Sequence, residues 1–101
     1  METTRYNRQI ILPQVGTIGQ QKLQEAKILI IGAGGLGAAV LPYLAAAGIG
    51  EIGIIDDDRI ELSNLQRQVI YKNSSVGKSK VMEASIMALA LNPSIKVNPI
   101  T

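Results

Sequence analysis

Lys27-Ile28-Leu29-Ile30-Ile31-Gly32-Ala33-Gly34-Gly35-Leu36-Gly37 decides the fold. Its first half is a β-branched, aliphatic run that stops at Gly32, and it reads as a strand buried on both faces. Gly32, Gly34 and Gly37 then match G-x-G-x-x-G, directly after the strand and at the opening of a helix. In that pattern the first glycine turns the chain sharply. The second lets backbone approach a phosphate, and the third lets helix and strand pack closely. A helix N-terminus offers unpaired N–H groups and a positive dipole end to an anion. Gly35 adds open backbone.

Working outward, Leu36 to Ala47 continues as a helix interrupted by Pro42, which removes one hydrogen bond. Glu51-Ile52-Gly53-Ile54-Ile55 is a second strand, ending at Asp56 about twenty residues after the glycines, where an acid takes ribose hydroxyls. Asp57 to Ser75 is a long polar connection, of a kind that is either functional or disordered. Lys78 to Leu91 is a helix closed by Asn92-Pro93, and Ile95 to Val97 is a third short strand. Upstream, Arg5 to Pro13 reads as a mixed arm and Gly19 to Ala26 as a short helix. The division expected is 1–26 for arm and helix, and 27–101 for the first half of a nucleotide-binding domain. Alternating strands and helices give an α/β fold with a parallel, Rossmann-type sheet and flanking helices, first half only, three strands. Such a half leaves the third strand with a bare edge.

Composition narrows the chemistry. The chain has 101 residues, 47% of them hydrophobic, with three Tyr and no Phe or Trp, so aliphatic side chains must build the core. The net charge is +2 and no basic stripe is visible, which argues against nucleic acid. With no Cys and no His, a disulfide, a Cys/His zinc site and a Cys or His nucleophile are all excluded within this stretch. The polar start, Met1 to Arg5, is unlike a signal peptide, and no apolar run is long enough for a bilayer. A cytoplasmic protein is the expectation.

The glycine turn and Asp56 fit a nicotinamide or flavin enzyme as well as an ATP enzyme. Gly77-Lys78-Ser79 is not a Walker A end, because Lys72 stands where its first glycine belongs. The connection carries Ser63-Asn64-Leu65-Gln66-Arg67-Gln68, and Lys78 and Lys80 follow. Arg offers phosphate a bidentate fork and Lys a point charge. Expulsion of pyrophosphate needs such neutralisation, and hydride transfer does not. The cations therefore tilt the reading towards ATP, although charged loop residues also serve as plain solvated surface.

Arg5-Tyr6-Asn7-Arg8-Gln9-Ile10, the glycine turn, Asp56-Asp57-Asp58, Ser63 to Gln68, Val76-Gly77-Lys78-Ser79-Lys80 and Leu91-Asn92-Pro93 occur in that order. Together they resemble the opening of the ThiF/MoeB/HesA family, relatives of ubiquitin-activating enzymes. The resemblance implies an ATP- and Mg2+-dependent adenylyltransferase. Its substrate would be the C-terminal Gly-Gly carboxylate of a ubiquitin-like sulfur-carrier protein of molybdopterin or thiamine biosynthesis, and the enzyme would be a homodimer. By matching positions, Gly35 lies against the phosphates within the Gly32, Gly34, Gly37 turn, and Asp56 binds ribose. Asn64 and Arg67 hold phosphates, with Ser63, Leu65 and Gln66 completing the segment. Lys80 stabilises the transition state beside Arg67, Asp58 stands near, and Arg8 crosses to the partner's ATP. No metal ligand falls in the chain. The magnesium aspartate and the Cys pairs for zinc are implied beyond Thr101, so the chain alone is expected to be incomplete, inactive and at best a weak ATP binder. The alternatives are an NAD-binding oxidoreductase fragment, marked by NAD outbinding ATP, and a non-catalytic dimerising scaffold, marked by indifference to loss of Arg67.

Overall fold

The computed structural model describes residues 3–101, so Met1 and Glu2 of the polar start lie outside the described residues. The elements are α1 (Thr3–Ile10), α2 (Gly16–Glu25), β1 (Lys27–Ile31), α3 (Gly35–Ala47), β2 (Glu51–Ile55), α4 (Lys80–Leu91) and β3 (Lys96–Ile100). Two short 3-10 turns, Leu62–Asn64 and Asn73–Ser75, lie in the connection before α4. The arm expected at Arg5 to Pro13 is therefore mostly a helix. The third strand also runs on to Ile100, past Pro99. Proline lacks the donor that a central strand needs, but β3 is an edge strand. Helix α3 runs unbroken through Pro42, which cannot donate to the carbonyl one turn before it.

The sheet is parallel with order β1-β2-β3, pairing Ile28 with Ile52 and Ile52 with Val97. Both crossovers progress in one direction, so right-handed connections place α3 and α4 on the same face. The two helices pack side by side, and α4 also lies on β3 and β2. Ala38, Leu41 and Ala45 of α3 and Val81, Ala84 and Ala88 of α4 meet Ile52 and Ile54 in one aliphatic core.

The opposite face is uncovered. The expectation that β1 is buried on both faces fails: Leu29 is 54% and Ile31 81% exposed. Burial on two faces requires helices on two faces, and both crossover helices here lie on one. Strand β1 is also an edge, like β3, so the sheet has two bare edges. The apolar one runs beside Leu36, Val40 and Leu44 of α3, forming an open groove of about 290 Å³ with Ile28 to Ile31.

At the other end of the core, α1 and α2 close the C-terminus of α3. Gln9 and Gln20 both donate to the Ala47 carbonyl, at 3.1 Å each. Asn92 is fully buried and fully used. Its Nδ2 donates to Tyr6 Oη at 2.7 Å and to the Ala45 carbonyl at 2.9 Å, and its Oδ1 accepts from Ser94 N–H at 3.1 Å. One side chain thus ties α1, α3 and the turn before β3 together. Loss of a buried amide strands its partners.

Two outcomes follow from this packing. Asn92→Ala should lower the unfolding free energy in urea by about 2 kcal/mol; a midpoint equal to the parent's would contradict the tie. Ile31→Lys should reduce light scattering of concentrated protein without lowering that midpoint, since lysine guards an apolar edge. Unchanged scattering would show that this edge does not drive association.

Candidate functional site

The glycine turn forms as its spacing demands. Gly32 has φ +94°, which L side chains rarely adopt, and it ends β1 with its N–H on the Ile55 carbonyl at 2.7 Å. At Gly37 the reason is space: a Cβ there would lie 1.9 Å from the Gly32 carbonyl oxygen. Helix α3 can therefore start against the turn only with glycine at that position. Gly34 caps α3 without a side-chain hydrogen bond, which leaves the first amides of α3, starting at exposed Gly35, open to an anion.

The Ala33 peptide between these glycines is clamped from both sides. Its N–H donates to Asp56 Oδ2 at 2.7 Å, and its carbonyl accepts from the hydroxyl of Tyr71. Asp56 Oδ1 accepts a further N–H, from Asp58, at 2.7 Å. The acid that ends β2 thus fixes the turn at the end of β1. Burial pushes the Asp56 carboxyl up, but the N–H groups of Ala33 and Asp58, the Lys80 charge and the Asp57 N–H outweigh that and hold it below its ordinary value. Burial, with the Asp56 charge beside it, pushes the Tyr71 hydroxyl up, so it remains a donor.

The polar connection is ordered because it is pinned to the core and zipped to α4. Ile60 and Tyr71 are core residues. Ile60 N–H donates to the Lys78 carbonyl at 2.9 Å, Gly77 N–H to the Ile60 carbonyl at 2.7 Å, and Lys80 N–H to the Asp58 carbonyl at 3.1 Å. This lands the N-terminus of α4, and Lys80 with it, at the glycine turn. Lys80 is only 5% exposed. A Cβ on Gly34 would meet its Nζ at 3.2 Å, and the carboxylate it pairs with, exposed Asp58, is 4.0 Å away. A buried ammonium whose paired carboxylate stands off at 4.0 Å favours an arriving anion.

The residues marked in the sequence divide. Gly32, Gly34, Gly35, Gly37, Asp56, Asp58 and Lys80 come together. Asn64 is buried, and its Oδ1 is taken by the Glu61 N–H at 3.0 Å, so this side chain caps the turn that positions its neighbours. Ser63, Gln66 and Arg67 are exposed on that segment and Leu65 is half-buried. The Arg67 guanidinium donates to the Ser63 carbonyl at 3.1 Å, within its own segment. Arg8 is not brought to the turn of its own chain. It is exposed on α1, whose next residue, Gln9, is bonded at the C-terminal end of α3. That end lies about 20 Å of helix from the turn.

Sequence reasoning missed Tyr71 and gave no role to Gln68. Asn64, Gln68 and Tyr71 recur at helical spacing, and all three are buried; that period inside a polar loop was the available signal. Asp56, Asp57 and Asp58 place carboxylate oxygens within 4.8 Å of one another. Magnesium asks for near-octahedral oxygen ligation. Both Asp56 oxygens already accept N–H groups and Asp58 faces Lys80, so two of the three carboxylates are engaged in bracing the turn and its lysine.

Since the Asp56 carboxyl is held below its ordinary value of 3.8, the stability it confers is present above that pH and is lost as pH falls through the lowered value. Asp56→Asn should therefore be less stable than the parent at pH 7, with the gap closing on acidification below about pH 4. Urea unfolding at neutral and acid pH checks this, and a gap independent of pH would refute the charge's part in the clamp.

With this geometry in hand, comparison with known proteins is direct. The ThiF family model matches residues 6–101. The Sulfur carrier protein adenylyltransferase of Thermus thermophilus is 51% identical over 96 residues, covering 95% of this chain and 35% of that protein. The Probable adenylyltransferase/sulfurtransferase MoeZ of Mycobacterium tuberculosis is 53% identical, covering 95% of this chain and 24% of MoeZ. The crystal structure of E. coli MccB with ATP superposes with a TM-score of 0.90 at 41% identity, over 99% of this chain and 31% of MccB. A second MccB structure, with AMPCPP and MccA, gives a TM-score of 0.89, also at 41% identity, over 98% of this chain and 31% of that one. The chain thus spans about a third or less of the length of these relatives. The match runs through the turn, the connection and α4 alike, and on it this chain belongs to the ThiF family.

Proposed function

We propose that this chain is the nucleotide-binding part of an ATP-dependent adenylyltransferase that activates the C-terminal Gly-Gly carboxylate of a ubiquitin-like sulfur-carrier protein. In the reaction the carboxylate oxygen attacks the α-phosphorus of ATP. The bond from the α-phosphorus to the bridging oxygen breaks, pyrophosphate leaves, and an acyl-adenylate forms. The observation that carries this reading is the buried Lys80 ammonium over Gly34, 4.0 Å from its paired carboxylate and beside the open amides of α3. That is a cradle for phosphate charge.

In this reading Gly32, Gly34, Gly35 and Gly37 shape the cradle and Asp56 takes the ribose while bracing the turn. Lys80 and Arg67 neutralise developing charge, with Ser63, Asn64, Leu65 and Gln66 presenting the segment and Asp58 holding Lys80 until phosphate arrives. Arg67 must turn from the Ser63 carbonyl to do so, which its exposure allows. Arg8 serves the site of a partner subunit in a homodimer, consistent with its distance from the turn of its own chain. The magnesium and zinc ligands implied by the family resemblance are not among these residues. The name of the Thermus relative, a sulfur carrier protein adenylyltransferase, supports this carrier class, the adenylyltransferase/sulfurtransferase name of MoeZ supports the reaction, and the MccB complex with ATP supports the nucleotide.

Titration of the chain with ATP and NAD tests the reading. ATP should bind saturably and NAD should not compete, and Arg67→Ala should weaken ATP by about tenfold through the lost phosphate fork. Binding of NAD in preference to ATP would replace the reading with an oxidoreductase. Indifference to Arg67→Ala would favour a scaffold.

A further inference from the structure

Gln68 is 4% exposed and sits directly over the glycine turn. A Cβ on Gly34 would meet its Nε2 at 3.0 Å and its Cδ at 3.3 Å, next to Lys80 Nζ at 3.2 Å. The carboxamide and the ammonium therefore share the space above Gly34. Among the described residues, Gln68 Oε1 is the buried side-chain polar atom that finds no hydrogen-bond partner. Buried polar groups in native proteins are nearly always partnered, and each exception calls for an explanation.

The backbone of Gln68 does not supply that explanation. Its N–H bonds the Asn64 carbonyl at 2.8 Å, and its own carbonyl accepts from Tyr71 N–H at 3.2 Å. The segment is held without the side chain. An apolar side chain of similar length would fill the same volume without stranding an acceptor, so the amide costs the free protein stability. Such costs concentrate at sites where an arriving ligand re-arranges the neighbouring donors and acceptors.

We propose that Gln68 is a further ligand-contacting residue of this site, its NH2 donating to a phosphate oxygen seated above Gly34 and its carbonyl accepting from the Lys80 ammonium. The inference rests on the ATP reading above. A neutral amide suits the position. It offers a donor to the anion and, through its other end, an acceptor that holds the cation in place as Lys80 moves from Asp58 towards phosphate. Rotating the amide by a half-turn exchanges the two atoms, and both remain over the turn. A carboxylate there would satisfy Lys80 but repel phosphate, and an aliphatic chain would do neither.

The test uses the whole chain, with Gln68→Met and Gln68→Glu, titrated with a fluorescent ATP analogue and melted without nucleotide. Gln68→Met should bind the analogue at least about fivefold more weakly while melting no lower than the parent, because it removes both the phosphate donor and the stranded acceptor. Gln68→Glu should bind more weakly still, since its charge opposes the phosphates. A parent that binds while Gln68→Met binds equally well overturns the assignment and leaves the ATP reading standing. A Gln68→Met protein that melts lower or fails to fold makes the residue structural and also overturns it. A parent that fails to bind ATP removes the ATP reading and this assignment with it.

Discussion

The Ala33 peptide, held by the Asp56 carboxylate on one side and the Tyr71 hydroxyl on the other, is the contact on which the rest of the site depends. It joins the end of β1, the end of β2 and the connection at one point. Gly32 can turn and Gly37 can admit the helix, but neither aims the turn. The clamp does, through an acid from the next strand and a phenol from a loop. The same carboxylate that meets the sequence rule for ribose is thus already used twice in building the cradle. Its remaining lone pairs are what a nucleoside would engage.

From that point the charge balance follows. Zipping the connection onto the residues before α4 carries Lys80 into the turn, where burial strips its solvent and Asp58 neutralises it only at 4.0 Å. Gln68 enters the same space with an acceptor unsatisfied. Two unfavourable features, an under-neutralised cation and an orphaned carbonyl, are tolerated side by side over one glycine. A phosphate would supply charge for the first, and the ammonium drawn towards it would supply a donor for the second. The far end of the fold contrasts with this: Asn92 and Gln20, equally buried, have their side-chain groups bonded.

Much of this was legible in residue order, and the parts that were not have identifiable causes. Strands β1 and β2, the glycine turn and Asp56 were readable because each is specified locally, by aliphatic runs, by φ and by spacing. Helix α1 was not, since its Tyr6 anchor is meaningful only against Gly48 and Asn92, both distant in sequence. The end of β3 was hidden by Asn98 and Pro99, which discourage a strand but are admissible at an edge. Asn64 was marked for its amide, and its Oδ1 also caps the turn by accepting the Glu61 N–H, a local hydrogen bond that no motif reveals.

What the sequence determined by itself is the nucleotide turn on a parallel α/β sheet, because those constraints are steric and act within a few residues. What tertiary structure alone decided is which surfaces are covered and which polar atoms are satisfied. Strand β1 looks doubly buried as a sequence and has one bare face, because burial depends on where both crossover helices go. Gln68 looks like one more polar loop residue and is an enclosed amide with a stranded acceptor over the glycine turn, because satisfaction depends on what the fold brings within reach.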